Sequence, residues 1–313
     1  MNYNRFIEKS PNVSEIGLGA WQLGESSDWQ SLSEKEAIDL TLQAYDLGVN
    51  FFDTAPNYGL GTSELRLGKA FKHLDRDKLV INTKFGHTVE GGINWQSDHI
   101  RESIEGSLKR LNTDYVDSLI FHNPPIEYFD GNKNDHYEIL ERLVEQGKIR
   151  AYGASVDTYD EMKLLIETTN SKVVEAFFNI LHQDVRRAFD LAMDKGVGII
   201  AKIPLDSGWL SGKYNADSTF TDIRSRWSQD DKETRAKLVG KIKTLIPQEM
   251  ELYHAAISYC LAYDAVSTVI PGNKSIDQLK NNLACVNNPI SEETVKKLEE
   301  FFKKDVKPLN LPW

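Results

Sequence analysis

Eight apolar runs of strand length, spaced through one undivided chain and separated by stretches of helical periodicity, constrain the fold more than any other feature. The runs are EIGLGAW from Glu15, VNFFDTA from Val49, LVINTKF from Leu79, VDSLIFH from Val116, IRAYGAS from Ile149, VVEAFFN from Val173, VGIIAKIP from Val197 and VSTVIPG from Val266. Runs of this length, bounded by turn residues, read as strands buried on both faces. Between them lie helix signals. SEKEAIDLTLQAYDLG carries Ser33 and Glu36 at capping-box spacing and stops at Gly48. SDHIRESIEGSLKRLN offers Ser97 as a cap and keeps Ile100, Ile104, Leu108 and Leu111 on one face. Further helices are expected from Asp135 to Gln146, Asp157 into Glu167, His182 to Lys195 and Ser275 through Cys285.

Eight strand–helix alternations in 313 residues, with no Pro- or Ser-rich linker, point to one domain, residues 1–313, folded as a closed (β/α)8 TIM-type barrel. A doubly wound open sheet would carry an early GxGxxG, and none follows the first run. Two additions to a minimal barrel are expected: a long polar insertion after the seventh strand, from about Ser211 to Glu249, and a final helix, SEETVKKLEEFFKK, from Ser291. The residues before Glu15 suit a small hairpin closing the barrel floor.

A formal net charge of −10 argues against a nucleic-acid surface. No stretch is long and uncharged enough to span a membrane, and the N-terminus has no signal-peptide run. Cys260 and Cys285 sit in helical segments without metal-ligand or CxxC spacing, so no metal is expected and a reduced, cytoplasmic setting is the simplest account.

In such a barrel, chemistry gathers at the carboxyl ends of the strands. Asp53 ends the second run, Lys84 the third and His122 the fourth, while Tyr58 lies in the loop after the second. Singly each has an ordinary reading: a turn cap, a surface lysine, a core histidine, a tyrosine over apolar surface. Jointly they describe a proton-transfer site. A free phenol, with a pKa of about 10, donates poorly near neutrality. A neighbouring ammonium stabilises the phenolate, and a buried carboxylate keeps that ammonium charged and oriented. Tyr58 can then serve as general acid to an oxygen gaining charge, with His122 hydrogen-bonded to the same oxygen. That oxygen would belong to a carbonyl attacked by hydride, and a cofactor must supply the hydride. Gly59 and Gly61 would let the loop bend back over the mouth.

These residues stand in motifs that resemble the aldo-keto reductases. NFFDTAPNYGLGTSE, INTKFG and LIFHNPP match the family's Asp, Tyr, Lys and His, and the likeness runs from GLGAWQLG at Gly17 through IPGNKSIDQLKNNLA at Ile270. The resemblance implies a (β/α)8 oxidoreductase using NADP(H), with Asp53, Tyr58, Lys84 and His122 as catalytic tetrad and a small-molecule carbonyl or alcohol as substrate. PLDSGWLSGKY resembles the loop over the cofactor pyrophosphate, making Pro204, Leu205, Ser207, Leu210 and Lys213 candidates. IPGNKSIDQLKNN resembles the adenosine-phosphate site, with Gly272, Asn273, Lys274, Gln278 and Asn282. A cation at a helix N-terminus suits a 2′-phosphate, so Lys274 favours NADP(H) over NAD(H); a solvated surface lysine is the competing reading.

The nicotinamide end departs from the family's commoner pattern. Ser155 is followed by Val156 instead of Asn, Glu175 stands where a glutamine usually meets the carboxamide, and Lys202 where an aromatic often stacks on the ring. Because a buried unpaired charge is costly, Glu175 and Lys202 are expected to pair with each other beneath the nicotinamide; alternatively Lys202 reaches solvent or a substrate acid. Trp21 resembles a pocket-lining aromatic and Trp95, in the loop after the third strand, is a candidate to face it, although either equally suits a core position. The insertion carrying Trp227 reads as a cofactor lid or as solvated surface. Substrate, direction and oligomeric state stay open. A sugar dehydrogenase working oxidatively and a cofactor-binding regulatory subunit are the alternatives.

Overall fold

The computed structural model describes residues 1–26 and 31–312. Eight parallel strands, β1 (Leu18–Gly19), β2 (Phe51–Asp53), β3 (Val80–Phe85), β4 (Val116–Phe121), β5 (Ile149–Val156), β6 (Val173–Phe177), β7 (Gly198–Lys202) and β8 (Val266–Ile270), follow one another around the sheet in chain order. The ring closes through parallel bridges from Ile16 to Val269 and from Gly19 to Gly272, with the Gly17 amide donating to the Val269 carbonyl at 2.9 Å. All eight expected strands are present, and the chain has the (β/α)8 fold.

The outer ring comprises α1 (Glu34–Asp46), α2 (Thr62–Phe71), α3 (Ser97–Leu111), α4 (His136–Glu145), α5 (Tyr159–Thr168), α6 (Phe189–Asp194), α8 (Leu252–Leu261) and α9 (Ile276–Ala284). Here α7 (Gln229–Leu245) lies in the insertion after β7, and α10 (Glu292–Phe301) is the additional C-terminal helix. The Ser33–Glu36 capping box opens α1 as expected. Ser97 is not the cap of α3. Gln96 holds that position, and the Ser97 hydroxyl, already inside the first turn, donates to Asp135 at 3.1 Å instead.

The N-terminal strands Tyr3–Asn4 and Val13–Ser14 form the expected antiparallel hairpin. Between them Phe6 and Ile7 plug the floor, joining Phe51, Val80, Ile120, Ala151, Val173, Ile200 and Ile270 in one buried cluster. Gly198 gives Phe6 its space, since a Cβ there would fall 2.6 Å from the ring. This floor layer orients the site. Side chains alternate faces along a strand, so Asp53 follows Phe51, Lys84 follows Val80 by four residues, His122 follows Ile120, Ser155 follows Ala151, Glu175 follows Val173 and Lys202 follows Ile200 on the same inward face. The apolar residues fill the bottom; the polar ones, nearer the carboxyl ends, face the mouth.

The insertion is more than solvated surface. A 3-10 turn (Ile223–Arg226) and α7 fold it onto the barrel, with Trp227 buried and its ring centroid 6.0 Å from those of Trp209 and Phe220. Arg235 of α7 is fully buried, 3.3 Å from the buried Asp206 carboxylate, and donates to the Pro312 carbonyl at 2.5 Å. His182 Nε2 lies 3.3 Å from the other Asp206 oxygen. The insertion, the loop after β7 and the C-terminal tail are thereby tied together.

Candidate active site

The loop after β2 carries Tyr58 over the mouth by turning left-handed for three consecutive residues, Gly59 (φ 59°), Leu60 (φ 52°) and Gly61 (φ 88°). A Cβ on Gly59 would lie 2.4 Å from both the Glu25 amide nitrogen and Thr62 Oγ1, so glycine is required there by space as well as by angle. The rest of the motif holds the turn. Ser63 donates to the Ala20 carbonyl at 2.8 Å, and buried Glu64 accepts from Thr83 at 2.6 Å and from Arg110 at 2.7 Å.

Asp53, Tyr58, Lys84 and His122 come together. The Lys84 ammonium lies 2.6 Å from Asp53 Oδ1, donates to the Thr54 carbonyl at 3.0 Å, and stands 5.1 Å from the Tyr58 ring centroid. The His122 ring meets the Tyr58 ring edge-on at 5.6 Å. The ring of His87, a residue the sequence reading did not single out, lies 4.7 Å from that of His122, and Trp95 lies 6.0 Å from His87.

Burial governs the electrostatics. It pushes the Tyr58 phenol above its ordinary value against the opposing pull of Lys84, with Asp53 and Glu175 adding to the rise. Burial alone would strip the proton from Lys84, but the carboxylates of Asp53 and Glu175 outweigh it and hold the ammonium above its usual range. Asp53 is pushed up to about 7, by burial first and the Glu175 charge second, against Lys84 and the hydrogen bonds from Lys84 and Asn82. Burial, then the charges of Lys84, His87 and Lys202, hold His122 well below the usual imidazole value, so it is neutral.

Glu175 and Lys202 do not pair. Glu175 Oε2 lies 3.2 Å from Lys84 Nζ, whereas Lys202 donates to Asn123 Oδ1 at 2.6 Å and pairs with Asp157 at 3.0 Å. The register explains this. Glu175 stands opposite Ile200, a full pleat repeat below Lys202, so Lys202 meets loop acceptors at the rim while Glu175 faces Lys84 across the barrel. Asn82, also unforeseen, donates to Asp53 at 2.7 Å and lies 3.5 Å from Glu175, its own carbonyl oxygen accepting from Ser118.

Two buried polar atoms in this region, Ser155 Oγ and His122 Nδ1, have no protein partner. Ser155 stands in register with Glu175. Buried hydroxyls and imidazoles are ordinarily hydrogen-bonded, so these orphans fit a bound carboxamide and a substrate oxygen.

The other candidates separate by depth. Pro204, Leu205 and Ser207 lie in the loop after β7, where Asp206 and Ser207 have φ of 46° and 51°. Leu210 is fully buried in the core, so only its backbone is available to a ligand, whereas Lys213 is exposed. After β8, Asn282 donates to Asn273 Oδ1 at 2.8 Å, Asn273 to the Pro271 carbonyl at 2.9 Å, and the Lys274 amide to Gln278 at 2.8 Å, with Gly272 against Gln22. Burial, then the charges of Arg224 and Lys213, lower the Lys274 pKa against the pull of Asp222, so the insertion brings an Arg224–Asp222 pair to this end, which the sequence reading missed. Trp95 borders the tetrad through His87, and Gly86 abuts its ring; Trp21, partly buried, stands on the 3-10 turn Trp21–Leu23 just after β1.

Known proteins share the fold and much of the sequence pattern. Among solved structures, the aldo-keto reductase AKR11C1 from Bacillus halodurans in its holo form superposes with a TM-score of 0.79 at 28% identity, covering 96% of each chain. The NADH-specific methylglyoxal reductase of Escherichia coli (strain K12) is 26% identical over 308 residues, 92% of this chain and 94% of that protein. The L-galactose dehydrogenase of Arabidopsis thaliana is 29% identical over 312 residues, 96% of this chain and 93% of that protein. The profile of the aldo/keto reductase family matches residues 15–303, and the chain belongs to that family.

Proposed function

We propose that the protein transfers hydride between NADP(H) and the carbonyl or alcohol carbon of a small aldehyde, ketone or sugar, with Tyr58 as general acid in reduction and general base in oxidation. The observation that carries this reading is the buried Asp53–Lys84 pair, 2.6 Å apart, set beside the Tyr58 ring and the neutral imidazole of His122. A nicotinamide cofactor supplies the hydride. Ser155 and Glu175 would hold its carboxamide, the Pro204–Lys213 loop its pyrophosphate, and the residues from Gly272 to Asn282 its adenosine end.

Charge develops on the substrate oxygen as the carbon gains hydride. Tyr58 donates its proton to that oxygen, Lys84 stabilises the phenolate left behind, and Asp53 keeps Lys84 in place. His122, being neutral, hydrogen-bonds the same oxygen without taking the proton. Lys274 and Lys213, with Arg224 beside them although paired with Asp222, place positive charge where a 2′-phosphate would sit, which supports NADP(H) although one relative is NADH-specific by name. Oxidation of a sugar-type alcohol is the second reading, favoured by the likeness to L-galactose dehydrogenase; the same residues run in reverse. No helix among the described residues is long and apolar enough to cross a membrane.

The test is NADPH consumption across a panel of aldehydes, ketones and sugars, comparing the natural chain with Tyr58→Phe. Loss of the acid should cost roughly 10²–10⁴-fold in kcat while NADPH still binds. Undiminished turnover in Tyr58→Phe would sink the assignment.

A further inference from the structure

We propose that Glu175 is a positioning residue for proton transfer: a second carboxylate on the Lys84 ammonium that holds the Tyr58 phenol in its proton-bound form. The inference rests on the function proposed above. Three observations carry it. Glu175 Oε2 lies 3.2 Å from Lys84 Nζ, and the side chains of Lys84, Asp53 and Glu175 are all at least 96% buried. Asn82 Nδ2 reaches both acids, at 2.7 Å from Asp53 and 3.5 Å from Glu175, and the Ser118 hydroxyl donating to Asn82 Oδ1 turns the amide so that its NH2 faces them. Lys202, the one other lysine ending an inward strand face here, is engaged by Asn123 and Asp157.

A hydrogen bond to a carboxamide needs only an uncharged side chain at position 175. An acid brings charge, and that charge has a partner in Lys84. The cluster then holds two acids against one ammonium. Ionising Tyr58, itself half-buried, adds a further negative charge beside them. Charges several ångströms apart, at an effective dielectric near 20, displace such an ionisation by about tenfold or more. The groups facing Tyr58 are Lys84 from β3, which favours the phenolate, Asp53 from β2 and Glu175 from β6, which oppose it, and neutral His122 from β4. Lys202 from β7 and His87 from the loop after β3 act on His122.

The sign follows. Removing the Glu175 charge weakens the phenol's hold on its proton, so phenolate forms at lower pH. Reduction, which needs the proton, then fails at lower pH, and oxidation, which needs it gone, rises at lower pH. The test compares the natural chain with Glu175→Gln and Glu175→Ala in two readouts. One is the pH dependence of kcat/KM in both directions. The other is the phenolate absorbance of Tyr58 in the protein without cofactor, isolated by subtracting each protein's Tyr58→Phe counterpart. Both variants should move the limbs and the absorbance rise down by about one pH unit, so that on the rising limb oxidation at fixed pH is about tenfold faster. Two variants keep the result independent of whether either folds poorly. NADPH affinity, followed by fluorescence, separates the roles. Changed affinity with coincident pH profiles and coincident absorbance would make Glu175 a cofactor contact only and overturn the proposal. Undiminished turnover in Tyr58→Phe would instead overturn the underlying function, leaving the absorbance comparison to decide the charge on Glu175.

Discussion

Lys84→Met tests the buried charge cluster most directly. Methionine keeps most of the length of the lysine stem and removes its charge, leaving Asp53 and Glu175 with only Asn82 between them. Removing one partner of a buried ion pair ordinarily costs about 3–5 kcal/mol. The structure gives the same figure by another route. Asp53 is already pushed up to about 7, so even beside the ammonium its carboxyl is near the edge of ionisation at neutral pH. Without the ammonium the folded protein must take up about one further proton, and protonating an ordinary carboxylic acid of pKa near 4 at pH 7 costs about 4 kcal/mol, at 1.36 kcal/mol per unit. The sign with pH follows from proton counts. In the variant the folded state holds one proton more than the natural folded state, while the unfolded states match. The penalty therefore shrinks as pH falls, by about 1.4 kcal/mol per unit, until the unfolded carboxylates protonate near pH 4. Urea unfolding at pH 5, 6, 7 and 8 on both proteins reads the difference. The double variant Asp53→Asn, Lys84→Met, which removes an acid with the cation, should recover much of the loss. A penalty below about 1 kcal/mol that does not change with pH would mean that the carboxylates are solvated, and the reasoning about this cluster would be wrong.

Two further outcomes follow from charges away from the tetrad. Lys274→Ala should weaken NADPH binding about tenfold and leave NADH nearly unchanged, read by fluorescence titration with both cofactors, because only the former offers the 2′-phosphate; equal losses would make Lys274 a general contact. Arg235→Met should lower unfolding stability by about 3–5 kcal/mol in urea, since Arg235 and Asp206 are both fully buried and the Asp206 carboxyl, which burial would raise, is held low by His182 and Arg235 together. A near-neutral result would show that His182 suffices.

What the sequence made legible depended on where each element buries its surface. The strands were readable because parallel strands covered on both faces become unbroken apolar runs. Two helices escaped and a third, α8, was read only as a helical segment around Cys260, for separate reasons. In α2 the buried residues include Ser63, Glu64 and Arg66, so polar groups occupy the inward face and the apolar period disappears. In α8, Leu252 and all of Ala255–Cys260 are buried, so the helix reads as an apolar run without a polar face. In α7, Arg235 sits inward among Leu238, Val239 and Ile242 within a charge-rich stretch, which resembled solvated surface. The four residues of the tetrad were legible because each sits at a strand end or in an unusual turn. Their supports were not: Asn82 and Ser118 lie mid-strand, and the partner of Glu175 lies across the barrel on β3, where adjacency along the chain or between neighbouring strands points to Lys202 instead.

That misassigned pair also clarifies how protons are allotted at the mouth. Lys202 stays at the rim, and its charge adds to burial and the Lys84 ammonium in keeping His122 neutral. Glu175 lies deeper and adds negative charge beside Lys84, which opposes ionisation of Tyr58. Under the proposed chemistry both effects favour the same arrangement: an imidazole that holds no extra proton, and a phenol that keeps its own until a substrate oxygen gains charge. Had Glu175 and Lys202 paired, each charge would have been spent on the other and neither residue would bear on the proton inventory. Kept apart by one pleat repeat, they act on different members of the site, so that in the proposed chemistry Tyr58, and not His122, would be the group from which a proton moves.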